Sequence, residues 1–189
     1  MSLKIEPLRW EDLEAVQAFT DAEIGKGYYS RKELEEIFQK SSSQEVMCSF
    51  VLKNPEQKIK GVRITYPAGK WEKGKGSGLT VQAWPYPLEN TAYFQSLFLS
   101  ADLQGEGWGG KLSRHSLETL KKLNTKGVVC HSWKESPNDS STRYLKKLGF
   151  NVVKEHLHYW KDVDYNCTRC LKPPCLCTAQ EMYLEIDQL

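Results

Sequence analysis

The sequence predicts an α/β fold, and three observations carry that prediction. Segments of period-two and period-3.6 hydrophobicity follow one another along the chain in the order β-α-α-β-β-β-α-β-α-β-β. No internal repeat, low-complexity tract or shift in composition divides the 189 residues, so one domain over 1–189, large enough to bury a core, is expected. The composition is 40% hydrophobic and 26% charged, with net charge +2 and mean hydropathy −0.57, as in an ordinary water-soluble domain. That balance argues against nucleic acid or a membrane as the main partner. The opening "MSLKIEPLRWEDLEAV" has no apolar signal core and no window approaches a membrane span, so a cytoplasmic location with reduced thiols is expected.

Each element has a local reason. "LKIEPL" reads as a short strand, and Leu13, Val16 and Phe19 then repeat at helical spacing. "GKGYYS" breaks that helix. "SRKELEEIF" opens a second with a capping box, Ser30 to Glu33, ahead of Leu34, Ile37 and Phe38. "EVMCSFVL" and "KIKGVRITY" read as strands around the turn "KNPEQ". Residues 67–90 are rich in Gly, Pro, Trp and Tyr; a loop of that length is expected to be functional or mobile. "AYFQSLFL" is the fourth strand. A helix carrying Leu112, Leu117, Leu120 and Leu123, the strand "GVVCHSW", the helix "SPNDSSTRYLKKL" and the strands "FNVVKEHLHYW" and "AQEMYLEI" complete the chain.

Between the fourth strand and the third helix lies "SADLQGEGWGG", with four glycines in seven positions. Glycine there gives up backbone entropy without side-chain contacts. A strand, a glycine-rich turn and a helix N-terminus together offer free N–H groups and the positive end of the helix dipole, which suits phosphate. The P-loop pattern fails, because Gly110 is followed by Lys111 and Leu112. The dinucleotide fingerprint fits loosely and stands after the wrong strand.

Gln104-Gly105-Glu106-Gly107-Trp108-Gly109 matches the Gln/Arg-x-x-Gly-x-Gly/Ala signature of the GCN5-related N-acetyltransferases, and "NDSSTRYLKKLGF" (138–150) resembles that family's Asn-x-x-Ala-x-x-x-Tyr-x-x-x-Gly-Phe segment. The chain is thus identified as resembling this family over nearly its whole length. The resemblance implies a central mixed, mostly antiparallel sheet of about seven strands flanked by about four helices. It also implies transfer of an acetyl group from acetyl-CoA to a primary amine by direct attack. Gln104 and the amides of Gly105, Glu106, Gly107, Trp108, Gly109 and Gly110 would hold the pyrophosphate. The backbone of Phe98, Leu99 and Ser100 would pair with the pantetheine arm, with the Leu99 amide polarising the thioester. Asn138 would bond the pantetheine from the other side. The acceptor, a small-molecule or peptide amine, would meet Tyr28, Tyr29, Trp84 and Tyr86, with Trp71 in the same aromatic group; the alternative is that these rings pack the long loop down. A homodimer is compatible with the family pattern.

Two departures stand out. Where the family often has a tyrosine acid this chain has Leu145, and Tyr144, one residue earlier, is turned by about 100° on a helix. "AYFQSLFL" also lacks the family's frequent carboxylate, leaving water, Glu135 or His131 as the candidate base. A non-catalytic acyl-CoA-binding protein on the same fold is therefore the alternative reading. Tyr144, on a face with Leu148, and His131, Cys48 and Cys130, in strand runs, also read as packing. His156 and His158 read as one solvated strand face, and Lys70, Lys73 and Lys75 as a solvated loop.

"CTRCLKPPCLC" places Cys167, Cys170, Cys175 and Cys177 within eleven residues around Pro173-Pro174. Four soft ligands at that spacing can close a tetrahedral zinc site, whose role would be stability. Two disulfides conflict with reduced thiols, the spacing matches neither common ferredoxin pattern, and four unliganded thiols are the remaining alternative. If the cluster instead recruits a partner, the protein is a metal-dependent interaction module.

Overall fold

A computed structural model describes residues 2–71, 78–163, 167 and 169–186. Strand β1 (Lys4–Pro7) leads through one 3-10 turn into helix α1 (Leu13–Glu23). Helix α2 (Arg31–Lys40) begins with the expected capping box: the Glu33 N–H donates to Ser30 Oγ at 3.2 Å, and the Ser30 N–H donates to the Glu33 carboxylate at 2.9 Å. Strands β2 (Phe50–Lys53), β3 (Ile59–Tyr66) and β4 (Thr91–Leu99) precede helix α3 (Trp108–Lys122). Strand β5 (Gly127–Trp133), helix α4 (Ser140–Lys147) and strands β6 (Asn151–His156) and β7 (Ala179–Glu185) follow.

The seven strands form one sheet in the order β1-β2-β3-β4-β5-β7-β6. Its pairings are antiparallel except β4–β5, which is parallel. The mixed, mostly antiparallel sheet and four flanking helices are therefore as expected. Successive residues of β3 serve opposite faces. Val62 and Ile64 pack with Leu13, Val16 and Leu34 under α1 and α2. On the other face Leu117 and Leu120 of α3, Leu145 of α4 and Leu148 just after it pack on Phe94, Cys130 and Met182. Each such side chain contributes roughly 1.5–3 kcal/mol of burial, which is what makes the two-period pattern legible in sequence.

Local expectations needed correction in four places. The strand expected over "EVMCSFVL" is interrupted: the Cys48 N–H donates to the Ser41 carbonyl, and Ser49 Oγ donates to Ser41 Oγ at 2.8 Å. Val46–Met47 instead pairs with Ser42–Ser43 in a separate small hairpin. Helix α3 starts inside the glycine run, at Trp108 rather than after Gly110. Strand β6 ends at His156, and His158 sits in the following turn with φ 51°, so the two histidines do not share a strand face. The described part of the 67–90 segment is strapped to the sheet. Trp71 Nε1 donates to the Thr91 carbonyl and Trp84 Nε1 to Glu181 Oε1, both at 2.7 Å. Lys70 is exposed, and Lys73 and Lys75 lie outside the described residues.

Candidate active site

The parallel ladder between β4 and β5 pairs Thr91 with Gly127 through Phe94 with Cys130 and ends there. Beyond that rung β4 stays with β3, and β5 stays with β7 as far as Trp133. The ladder therefore splits into a wedge with backbone edges on both sides. A β-bulge in the β3–β4 register, between Ile64 and Thr65, turns β4 away at this point. The Ser100 N–H donates to the Lys60 carbonyl at 2.9 Å. By the alternation of an antiparallel ladder, Leu97 and Leu99 then direct their N–H and C=O groups into the wedge, while Phe98 and Ser100 direct theirs to β3. Of the three residues expected to line a pantetheine arm, Leu99 is the one whose peptide faces the opening. Its carbonyl accepts from Gln104 Nε2 at 3.3 Å, which turns the Gln104 side chain back onto the strand.

At the wedge mouth the four glycines have separate duties. Gly105 and Gly107 take φ of 84° and 83°, the left-handed region that side chains other than glycine rarely occupy. A Cβ on Gly109 would stand 2.9 Å from Leu97 Cδ2, so this glycine lets α3 close onto β4. Gly110 has room, with Arg114 NH1 the nearest atom at 4.0 Å. The first bond of α3 runs from the Lys111 N–H to the Gly107 carbonyl at 3.1 Å. The amides of Trp108, Gly109 and Gly110 therefore precede the helix ladder and are free for an anion. Glu106 is exposed, and Lys111 Nζ lies 3.8 Å from the centre of the Trp108 ring.

On the α3/α4 face, Leu145 is 2% exposed in the core beside Phe94 and Cys130. Tyr144 packs against the same cluster, its hydroxyl beside Arg63 and Ser113, and burial raises its pKa. Asn138 is exposed, with φ 54°, in the 3-10 turn before α4. Replacing Tyr144 with phenylalanine is expected to lower turnover less than tenfold, where loss of a general acid typically removes 10²–10⁴-fold. A steady-state assay at saturating donor tests this, and a hundredfold drop in a folded variant would make Tyr144 the acid.

The opposite face is aromatic. Tyr29 Oη contacts Gln95 Oε1 at 3.1 Å and Ser96 Oγ at 3.2 Å on the bulged stretch of β4, and Tyr28 packs edge-on against Tyr29 and Phe98. Across the wedge, His131 follows the last ladder rung. Its Nε2 lies 2.6 Å from the Gly78 carbonyl, which can only accept, so Nε2 carries the proton. Its Nδ1 then accepts from the hydroxyls of Tyr93 and Tyr159, at 3.3 and 3.2 Å. Trp84, expected at the acceptor, is 7% exposed and packs into the strap with Trp71 and Tyr183, so its ring does not line an open pocket. Tyr86 is half-buried, and its carbonyl meets Thr91 Oγ1 at 3.5 Å, at the β5-paired end of β4 rather than at the wedge.

Neither side-chain candidate base is free. Both Glu135 oxygens accept from the Thr178 N–H, at 3.1 and 3.0 Å, and Arg169 pairs with one of them at 3.3 Å. Burial pushes the His131 pKa down to about 4. The unfolded chain therefore takes up a proton near 6.5 that the folded protein refuses until about pH 4, so stability present above pH 6.5 is lost as pH falls through that window. Wild type is expected to lose about 2 kcal/mol more than His131→Gln between pH 7 and 5 in urea unfolding. Equal losses would contradict the burial argument.

Two charged residues that hydrophobic periodicity does not single out prove central. Glu181 is fully buried and accepts from the Thr80 N–H and Oγ1, Trp84 Nε1 and His156 Nε2. Burial opposes its charge, but these donors hold its pKa low. His131, His156 and Glu181 stand close enough to hold a metal ion, yet their ligand atoms are already engaged in hydrogen bonds that strap residues 78–84 to the sheet. Arg63 is 2% exposed on the α3/α4 face. The signal for both was a charge at a core-facing position of a strand, Arg63 in Ile59–Tyr66 and Glu181 in Ala179–Glu185.

The four clustered cysteines meet, with their sulfurs all within 4.8 Å of one another. Cys177 Sγ lies 3.7 Å from both Cys167 Sγ and Cys170 Sγ, and no disulfide joins any of the six cysteines. Backbone N–H groups of Cys170 and Leu176 point at the sulfurs of Cys167 and Cys170, at 3.4 and 3.3 Å. Trp133 and Trp160 pack against the cluster, and the Tyr159 N–H donates to the Cys177 carbonyl.

Solved structures share this architecture. The ribosomal-protein-S18-alanine N-acetyltransferase from Escherichia coli superposes with TM-score 0.66 at 17% identity, covering 98% of this chain and 94% of that one. A spermidine N-acetyltransferase SpeG chimera from Vibrio cholerae and hSSAT gives 0.64 at 16% identity, covering 100% and 98%. A chain of the NatC complex bound to Gag peptide and CoA gives 0.67 at 14% identity, covering 98% and 99%. At such identities these likenesses speak for the fold. No curated protein matches the sequence. Residues 33–150, more than half of the chain, match the Acetyltransferase (GNAT) family, with the split ladder and the glycine turn inside the matched segment. The chain belongs to that family and is an acyl-CoA-dependent N-acetyltransferase.

Proposed function

We propose that the wedge takes the acyl-pantetheine arm of acetyl-CoA and presents its thioester to a primary amine arriving from the aromatic face. The observation that carries this reading is the split of the β4–β5 ladder at Phe94 and Cys130 beside a helix whose first amides are free. The amides of Trp108, Gly109 and Gly110 would hold the pyrophosphate, where the helix dipole adds roughly half a positive charge. The Leu99 N–H would polarise the thioester carbonyl, stabilising charge as it develops. Asn138 closes the other side. The acceptor is an amine on an apolar, aromatic or cationic body, because the half-buried Tyr28 presents an aromatic edge beside Phe98, Tyr29 and Tyr159 back that face with their hydroxyls bonded inward, and Glu181 and Glu135 are committed to internal bonds. One structural relative is a spermidine N-acetyltransferase and another is bound to a Gag peptide, so polyamines and peptides bracket the acceptors to try.

An amine panel of polyamines, aminoglycosides, amino acids and peptide N-termini, read by release of free coenzyme A, tests the reading. Acceptor-dependent release from one class supports it. Tight acetyl-CoA binding with no release above hydrolysis from any acceptor would favour the non-catalytic alternative.

The cysteine cluster is proposed as a structural zinc site. A tetrahedron with Zn–S bonds of about 2.3 Å has sulfur–sulfur edges of about 3.8 Å, close to the separations around Cys177. The amides directed at two of the sulfurs supply the outer hydrogen bonds that thiolate ligands accept. Four protein ligands leave no open position, so the ion would hold the β6–β7 connection against the end of β5.

A further inference from the structure

Arg63 is a cation where a strand would ordinarily place an aliphatic side chain. It lies opposite Leu97 in the β3–β4 register and is 2% exposed, and its guanidinium carbon stands 3.6 Å from the centre of the Phe94 ring. Its field also reaches Cys130. Phe94 and Cys130 are the last rung before the wedge, so the ring on which the guanidinium stacks stands at the closed end of the opening. Nε and NH2 have no hydrogen-bond partner among the described residues. Tyr144 brings a neutral hydroxyl to the same place. A buried guanidinium with two unused donors is costly unless something anionic uses them.

We propose that the buried charge of Arg63, acting through its field, stabilises the coenzyme A sulfur as it becomes a thiolate, an inference that rests on the acyl-CoA reading of the wedge. The amine lone pair forms the C–N bond, the C–S bond breaks with its electron pair going to sulfur, and the amine proton leaves to water. Arg63 transfers no proton, because guanidinium stays charged in proteins. Its role is a fixed positive charge in a water-poor site, placed before the reaction where negative charge forms. This explains how a chain with Leu145 at the family's tyrosine position could expel its leaving group without a general acid.

The test is the pH dependence of binding, which does not depend on turnover. Coenzyme A and desulfo-coenzyme A are titrated calorimetrically into the protein from pH 6 to 9. A thiol ionises near ~8.5 in water, and a neighbouring cation lowers that value. Wild type is expected to gain about tenfold in affinity for coenzyme A relative to the desulfo analogue over this range, and Arg63→Met to show a flat ratio. Arg63→Lys, which keeps the charge, is expected to regain part of the slope. In Arg63→Met kcat should also fall on the order of 10²-fold with acetyl-CoA affinity within threefold. A flat ratio in wild type overturns the proposal without any variant, as does an unchanged slope in folded Arg63→Met. If wild type binds neither molecule, the acyl-CoA reading of the wedge falls and this inference with it.

Discussion

Cys170→Ser is expected to leave the protein without zinc and to lower its melting temperature by roughly 6–12 °C, the range that a loss of about 3 kcal/mol gives in a domain of this size. The effect is large because the cluster is a junction. The Tyr159 N–H is tied to the Cys177 carbonyl, Thr178 to Glu135, and Trp133 and Trp160 pack directly on the sulfurs. It stops short of global unfolding because the two main cores lie elsewhere, around α1/α2 and α3/α4. The folded fraction should keep acetyl-CoA binding, since the wedge mouth is built from β4 and α3. Elemental analysis of protein purified without chelator checks the premise. Less than about a tenth of an equivalent of zinc, with four freely titrating thiols in native protein, would remove it.

Gly107→Val should weaken acetyl-CoA binding at least tenfold, ~1.4 kcal/mol, by calorimetry. Gly107 caps α3 at φ 83°, a conformation that a β-branched residue resists, so the turn that presents the next three amides must move. No atom lies within 4 Å of a Cβ built there, so the substitution strains the turn without forcing a clash in the core. Gly109→Val is a poorer probe, because its side chain would collide with Leu97 and disturb helix packing whatever the ligand does. Gly110→Ala is the matched control, in open space within the helix, and should change affinity less than threefold. Unchanged affinity in folded Gly107→Val would mean that the anion is held elsewhere.

Local physics made much of this protein readable from its sequence. The alternation in β3, the leucine spacing of α3, the Ser30–Glu33 box and the glycine turn each act within a few residues, where steric and hydrogen-bonding preferences suffice. The cysteine spacing likewise brings four sulfurs together without help from distant strands. What only tertiary structure decided depends on register between segments far apart in the chain. The wedge exists because β4 keeps β3 while β5 keeps β7 after their last shared rung, Phe94 with Cys130, a choice set by a bulge that no local pattern announces. Trp84 looked like acceptor wall and became strap, because Glu181, 97 positions later, accepts its N–H. Arg63 is one charge within a strand by sequence, and only cross-strand packing sets it on Phe94. A side chain's polarity is local, but whether it ends in water or in the core is fixed by the partners that close over it, and those are chosen by the whole fold.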